Sequence, residues 1–142
     1  MELTRSLADE LDAHVSELWR TMGRAAHGEL SRTAASVLAT LREAGPQRIT
    51  ALAAAEAVAQ PSMTALVGRL ERDGLAERVA DPDDARAVLA RVTDRGRDRL
   101  DARRAARAAR LQERLDALDS DEREALAAAL PVLHKLTEGS LS

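Results

Sequence analysis

The sequence predicts a mainly α-helical protein with one small β-hairpin, and three patterns in its 142 residues support this. Apolar residues recur every three or four positions in long stretches at both ends of the chain, as they do on one face of a helix. Over residues 75–93 the pattern changes to alternation, which is typical of short strands. Two short helical stretches joined by a tight turn precede that segment.

Both helices predicted near the amino end have an apolar face. In the first, apolar side chains recur at spacings of four and three, at Leu3, Leu7, Leu11, Val15, Leu18 and Met22. A second helix is predicted over residues 31–44, with Gly45-Pro46 as its stop signal. Its inward side chains are Ala34, Val37, Leu38 and Leu41.

The carboxyl-terminal part predicts two further helices. Thr93 is the expected cap of a long helix that reaches about Leu118. Asp119 and Glu122 then mark a capping box that opens a final helix, which Pro131 is expected to kink or split. Terminal helices with apolar seams and little else to cover them predict a twofold homodimer joined through both ends of the chain.

Two short helices joined by a tight turn lie at the centre of the prediction. Thr50 is the expected cap of the first, which would begin at Ala51. It would pack on its successor through Leu52, Ala55 and Val58. Pro61 fits the first turn of the second helix, where its missing N–H is not needed. The buried stripe of that second helix is Met63, Leu66, Val67 and Leu70.

The opposite side of the second helix combines small and polar residues. Its members are Gln60, Pro61, Ser62, Thr64, Ala65, Gly68, Arg69 and Arg72. Small side chains allow a backbone to approach closely, and hydroxyl, amide and guanidinium groups suit base edges and phosphates. An ordinary solvated face is the alternative for such a helix standing alone, so the prediction of binding depends on the neighbouring elements.

The segment after this helix predicts a hairpin with an exposed tip. Asp73-Gly74 ends the helix, because glycine adopts the left-handed conformation readily. Alternation then predicts strands over residues 75–80 and 88–93. The loop over residues 81–87 begins with turn-forming residues, and its Arg86 can enter a narrow minor groove. Two helices followed by such a hairpin make a winged helix-turn-helix, whose partner is double-stranded DNA.

Over nearly its whole length the chain resembles the multiple-antibiotic-resistance regulator (MarR) family of bacterial transcription factors. The strongest pieces are residues 58–64, residues 70–75, and Asp84-Ala85-Arg86 followed by Leu89, Val92-Thr93 and Gly96. The resemblance implies that Arg86 is the minor-groove arginine and that Asp84 holds it or the loop in place. Many relatives carry an arginine directly after the threonine of the recognition helix, whereas this chain has Ala65.

The resemblance also implies a domain organisation. Residues 1–142 form a single MarR-like domain, in which residues 1–30 and 101–142 are dimerisation helices. Residues 31–100 form the winged DNA-binding lobe. The family resemblance further implies a homodimeric repressor of a near-palindromic promoter site, released by a small anionic or aromatic effector.

Relatives bind such effectors in a crevice between the dimer helices and the DNA-binding lobe. On the first helix of this chain, Trp19 with His14 and Arg20 offers an aromatic plate and cations, which suit an organic anion. The alternative is that Trp19 is an ordinary core or interface residue.

Composition narrows the classes of function. The net charge is −3, and residues 46–100 contain nine arginines against nine acids. Residues 86–114 contain ten arginines against four acids, so we expect modest, salt-sensitive DNA affinity. The absence of cysteine excludes disulfides and thiolate metal sites. No apolar run of membrane length and no basic leader is present, which predicts a cytoplasmic protein without membrane contact.

Nothing in the sequence predicts an enzyme. The histidines, His14, His27 and His134, are scattered, and no nucleophile motif or phosphate-binding glycine loop is present. We therefore predict no catalytic residue, metal or cofactor. The other reading is a helical dimer whose winged lobe binds a protein partner and has lost DNA readout. Ala65 and the balanced charge favour that reading, whereas Arg86 and the hydroxyl groups of the recognition helix oppose it.

Overall fold

The computed structural model describes residues 2–22 and 29–138 and confirms a mainly helical fold with a small wing. The helices are α1 (Glu2–Met22), α2 (Arg32–Ala44), α3 (Ile49–Ala55), α4 (Gln60–Arg72), α5 (Asp94–Asp116) and α6 (Ser120–Thr137). The strands are β1 (Gln47–Arg48), β2 (Ala76–Ala80) and β3 (Val88–Val92), and β3 lies between the other two in an antiparallel sheet. The chain divides into two compact units, Met1–Ala106 and Arg107–Ser142, and the sheet lies in the first.

Helix α2 begins at a side-chain cap and buries one apolar face. Ser31 Oγ accepts a hydrogen bond from the Ala34 N–H at 3.1 Å, and Gly45 follows the helix with a φ of +81°. The buried members of the face are Ala34, Ala35, Val37, Leu38 and Leu41. The predicted inward set is confirmed, and Ala35 joins it.

The start of α3 differs from the prediction. The helix begins at Ile49 after an extended Arg48, so Thr50 lies inside the helix and is not its cap. The reason is β1, the third strand, which the sequence pattern did not predict. Pairing of Arg48 with Leu89 of β3 keeps the backbone extended up to the first helical residue.

The packing face of α3 also differs from the prediction. Its buried residues are Leu52 and Ala53, while Ala55 is exposed, because the core lies on the Leu52–Ala53 side of the helix. Val58, which follows the helix, packs partly buried against the core as expected. In the turn to α4, Ala57 takes the left-handed conformation with a φ of +52°.

Helix α4 follows the prediction closely. Pro61 lies in its first turn, and Gly74 follows its end with a φ of +73°. The buried stripe consists of Met63, Leu66, Val67 and Leu70. The stripe therefore packs into the core, and the opposite side of the helix faces away from it.

The junction between the wing and α5 requires a glycine. Thr93 Oγ1 accepts a hydrogen bond from the Gly96 N–H at 3.1 Å, which confirms Thr93 as the cap, and donates one to the Gly74 carbonyl at 2.6 Å. A Cβ atom at Gly96 would lie 2.2 Å from the Leu75 carbonyl oxygen. The Thr-x-x-Gly pattern thus combines a helix cap with a close approach of α5 to the start of the hairpin.

In the second unit, the capping box of α6 is confirmed. Asp119 Oδ1 accepts from the Glu122 N–H at 2.8 Å, and Glu122 Oε2 accepts from the Asp119 N–H at 3.0 Å. Of the kink or split expected at Pro131, the split is wrong, because α6 continues through Pro131 to Thr137. Proline removes one N–H donor, and the helical hydrogen bonds on either side keep the helix continuous.

The terminal helices expose apolar side chains of the same types that are buried inside the lobe. The fully described leucines and valines of α1 and all those of α6 are exposed, and α6 has no buried residue. Leu7 is 65% exposed and Leu130 is 61% exposed. Within the part of the chain that the structure describes, no helix is long and apolar enough to cross a membrane.

Candidate nucleic-acid interface

The outward side of α4 presents the residues that the sequence assigned to DNA binding. All are exposed except the half-buried Gly68: Gln60, Pro61, Ser62, Thr64, Ala65, Arg69 and Arg72. The Thr64 hydroxyl donates to the Gln60 carbonyl at 2.9 Å, so its oxygen lone pairs remain available as acceptors. Ala59 at the N-cap provides no side-chain cap. The amino-terminal turn of α4 is therefore open to a hydrogen-bonding partner.

Ion pairs divide the arginines of the lobe into two groups. Arg78 pairs with Glu71, Arg91 pairs with Glu77 at 2.5 Å, and Arg97 pairs with Asp94 at 3.0 Å. In residues 2–22 and 29–138, by contrast, the guanidinium groups of three arginines on the predicted surface make no ion pair. These are Arg69, Arg72 and Arg86. The balanced charge of the lobe therefore conceals three guanidinium groups, on α4 and at the wing tip, that no ion pair engages.

The wing tip is ordered by its own backbone and by Asp84. Asp84 Oδ1 accepts from the Arg86 N–H at 3.0 Å, and the Asp84 carbonyl accepts from the Ala87 N–H at 2.9 Å. The Asp81 N–H donates to the Ala87 carbonyl at 3.2 Å and closes the loop. Asp84 thus orders the backbone of the loop and does not bind the Arg86 guanidinium. The Arg86 side chain extends into solvent.

An ion pair at the base of the wing was not predicted from the sequence. The Arg48 guanidinium donates two hydrogen bonds to Asp81 Oδ2, from Nε at 3.1 Å and from a terminal nitrogen at 2.8 Å. Asp81 Oδ1 accepts from the Asp83 N–H at 2.9 Å. The Asp-Pro turn marked Asp81 as a turn residue, but no local pattern connects it with Arg48, which lies 33 positions earlier.

These contacts favour the charged form of Asp81. The Asp83 N–H, and next the Arg48 guanidinium, lower the pKa of Asp81 from its ordinary value of 3.8. For a carboxylate whose pKa is lowered by folding, the stabilising contribution is present at neutral pH. That contribution is lost as the pH falls below the ordinary value and through the folded pKa.

The first unit contains a cavity that the residues expected at an effector crevice do not line. That cavity, of about 320 Å³, lies among α2, α4 and α5, and its polar lining includes Ser31, Arg69, Asp73 and Arg99. His14, Trp19 and Arg20 are absent from its lining.

The three residues occupy separate environments on α1. Arg20 pairs with Glu17 at 2.5 Å, and the Arg32 guanidinium lies 5.3 Å from the centre of the Trp19 ring. His14 is exposed. In residues 2–22 and 29–138, no group of three His, Cys, Asp or Glu side chains could hold a metal ion, and His27 lies outside those ranges.

A recognition helix, a tight helix-turn-helix and a wing with an available arginine define a winged helix-turn-helix DNA-binding regulator. The MarR family model matches residues 30–88. An HTH-type transcriptional regulator of Mycobacterium leprae (strain TN) is 36% identical over 135 residues, which are 94% of each chain. The chain therefore belongs to the MarR family of DNA-binding transcription regulators.

Solved structures agree with this assignment. A transcriptional regulator from Pseudomonas aeruginosa is 32% identical, with a TM-score of 0.78 and 96% of both chains covered. The fold is also shared with BpsR of Bordetella bronchiseptica, at 24% identity and a TM-score of 0.56. That alignment covers 92% of this chain and 91% of BpsR, whose DNA binding is regulated by 6-hydroxynicotinic acid.

Proposed function

We propose that this protein is a homodimeric repressor that binds a near-palindromic promoter site through α4 and the wing. The observation that carries the proposal is the set of available guanidinium groups of Arg69, Arg72 and Arg86 in a lobe whose strand arginines, Arg78 and Arg91, are paired. Unpaired cations on the exposed side of α4 and on the wing suit the two grooves of a duplex.

In this proposal α4 lies in the major groove. Gln60 and Ser62 in its first turn, together with Thr64, provide hydrogen-bonding groups for base edges, and Ala65 and Gly68 allow close approach. Arg69 and Arg72 lie in the last turn of α4, where they suit phosphates. Ala65 offers apolar contact in place of a bidentate guanine contact, so more of the affinity depends on phosphates and on the wing.

The wing supplies the second contact. Arg86 extends from a loop that Asp84 orders, and the narrow minor groove of A·T-rich DNA has the most negative potential. We therefore expect Arg86 to add affinity for all duplexes and to favour sites with A·T pairs under the wing.

Residues 1–30 and 101–142 supply the dimer in this proposal, and residues 31–100 supply the DNA-binding lobe. The exposed leucines of α1 and α6 are the support, since a second copy would cover them. A twofold pair places two recognition helices about 34 Å apart, or a multiple of that distance, which matches successive turns of a duplex.

For a small effector we propose the cavity that Arg69 and Arg99 line together with Glu29 and Asp73. A small aromatic acid such as the regulator of BpsR would place its carboxylate near these cations. Because Arg69 also lies on the outward side of α4, an anion bound there would compete with a phosphate for the same guanidinium. Release from DNA would follow.

The test is binding of the full chain to the DNA immediately upstream of its own coding region. We expect Arg86→Ala to weaken binding to every duplex and to lower the salt slope by about 1. Thr64→Ala should instead change the preference among sequences. Arg5→Ala, which removes an exposed arginine of α1, is the charge-matched control and should leave affinity within about twofold.

The protein-partner alternative rests on Ala65 and on the balanced charge of the lobe. It makes the opposite prediction for the same variants. Negligible effects of both Arg86→Ala and Thr64→Ala, with weak binding that is indifferent to sequence, would favour a winged lobe that has lost DNA readout.

A further inference from the structure

Asp81 is the only buried charged side chain in the part of the chain that the structure describes. A carboxylate removed from water needs compensating partners. Its partners connect two different elements, because Asp83 belongs to the wing loop and Arg48 belongs to β1. The pair therefore joins the wing to the segment that opens the helix-turn-helix.

Arg48 is held firmly at its own position. It is the last residue of β1, where it pairs with Leu89 of β3, and it is also the N-cap residue of α3. Since α3 packs against α4, the guanidinium is tied through the backbone to the recognition helix. A contact between the Arg48 side chain and the wing therefore fixes the position of the wing relative to α4.

The contacts continue from Arg48 to the wing arginine. One Arg48 nitrogen lies 3.9 Å from Asp84 Oδ2, while Asp84 Oδ1 accepts from the Arg86 N–H at 3.0 Å. The charge of Arg48 also offsets the carboxylates of a loop that must approach phosphates. Without Arg48, Asp81, Asp83 and Asp84 would oppose that approach.

We propose that Arg48 and Asp81 are positioning residues that fix the wing so that Arg86 reaches the minor groove while α4 occupies the major groove. This inference rests on the proposed function. A loop that is ordered before binding loses less conformational freedom when it binds. Arg48 and Asp81 therefore act on DNA affinity through Arg86 and not through a DNA contact of their own.

A double-mutant cycle tests the inference. Asp81→Asn keeps the shape of the side chain and removes its charge. We expect it to weaken binding of the full chain to the upstream duplex by about fivefold to tenfold, as when one ordered charged contact is lost. In the Arg86→Ala background the same change should alter affinity by less than about twofold, because additivity fails for residues that act together.

Arg48→Lys is the second variant and addresses folding. It keeps the positive charge on a half-exposed side chain but cannot donate the two guanidinium hydrogen bonds that Arg48 makes to Asp81 Oδ2, so it should behave like Asp81→Asn. Circular dichroism and thermal unfolding should show that both variants remain folded. A variant that unfolds would lose affinity equally in both backgrounds, which contradicts a role through Arg86.

Three other outcomes are decisive. Equal losses from Asp81→Asn with and without Arg86 would overturn the inference. Tighter binding by Asp81→Asn would also overturn it, because a released Arg48 would then be a direct phosphate contact. If Arg86→Ala itself leaves DNA binding unchanged, the wing role in the proposed function fails, and the inference fails with it.

Discussion

The winged lobe and the terminal helices have apolar residues at similar spacings. These residues are buried in the lobe and exposed in the terminal helices. In the lobe the spacing of three and four produces side chains such as Val37 and Leu38, which are 0% exposed. In α6 the same spacing leaves Leu130 and Leu136 more than half exposed. Apolar periodicity therefore identifies a helix and its apolar side, but it does not identify what covers that side.

This difference assigns separate tasks to the two regions. The lobe completes its own core and can hold a rigid surface toward DNA. The terminal helices expose apolar surface that a second copy of the chain would bury, which is consistent with the proposed dimer. The following variants test whether stability depends on this division.

The largest effect is expected from the core of the lobe. Leu41 is 1% exposed, and Leu41→Ala should lower the free energy of unfolding by about 3 kcal/mol, through lost burial and a residual cavity. Urea unfolding measures this. The matched change, Leu130→Ala on α6, should leave the unfolding of the lobe unaltered in dilute protein and weaken dimerisation. Equal losses of stability from both variants would remove the comparison.

Gly96→Ala should have the next largest effect. The added methyl group would lie within 3 Å of the Leu75 carbonyl oxygen and of a Val92 methyl carbon, so the hairpin or α5 must shift. We expect a loss of about 2 kcal/mol, in the range for overpacking. Gly68→Ala is the control, since its Cβ would meet only the Arg72 side chain at an ordinary 3.7 Å. Similar melting temperatures for the two variants would contradict the close approach.

The helix caps provide a smaller and more local comparison. Ser31→Ala and Asp119→Ala each remove one side-chain cap, and each should cost about 1 kcal/mol. Hydrogen exchange should show a global loss for Ser31→Ala, because α2 belongs to the core. For Asp119→Ala the faster exchange should be confined to α6. Uniform acceleration by Asp119→Ala would mean that α6 unfolds together with the lobe.

The smallest effect is expected at the helix-turn-helix turn. Ala57 has a φ of +52°, which costs a non-glycine residue about 1 to 2 kcal/mol, while glycine loses about 0.5 to 1 kcal/mol more in conformational entropy. Ala57→Gly should therefore stabilise the lobe by about 0.5 kcal/mol. A melting temperature lower than that of the parent protein would contradict a net cost of the left-handed backbone at Ala57.

Local signals were sufficient for most of the fold. The stripe of α4, the capping box at Asp119 and the cap at Thr93 all follow from residues within one or two helical turns. The predictions were wrong where contacts between residues far apart in the sequence determine the structure. Strand β1 has two residues and no alternation of its own, so its pairing with β3 could not be predicted, and the start of α3 was misplaced as a result.

The residues of the candidate site also fall into two groups, those that the local sequence predicts and those that depend on distant contacts. The outward residues of α4 and the exposed position of Arg86 followed from helical spacing and turn chemistry. The pairing of Arg48 with Asp81 depends on the folded sheet, and so does the cavity beside Arg69. Trp19, His14 and Arg20 suggested a ligand site because an aromatic plate and cations suit an organic anion, but helical spacing does not determine which cavity these side chains line.

The most direct test of the division between lobe and terminal helices is sedimentation of the full chain with the labelled duplex from upstream of its coding region. The account predicts two chains bound per duplex, salt-sensitive affinity, and competition only by the same sequence. It also predicts that Leu130→Glu reduces the stoichiometry or the affinity without unfolding the lobe. One chain per duplex, or binding that ignores sequence and is unaffected by Leu130→Glu, would contradict it.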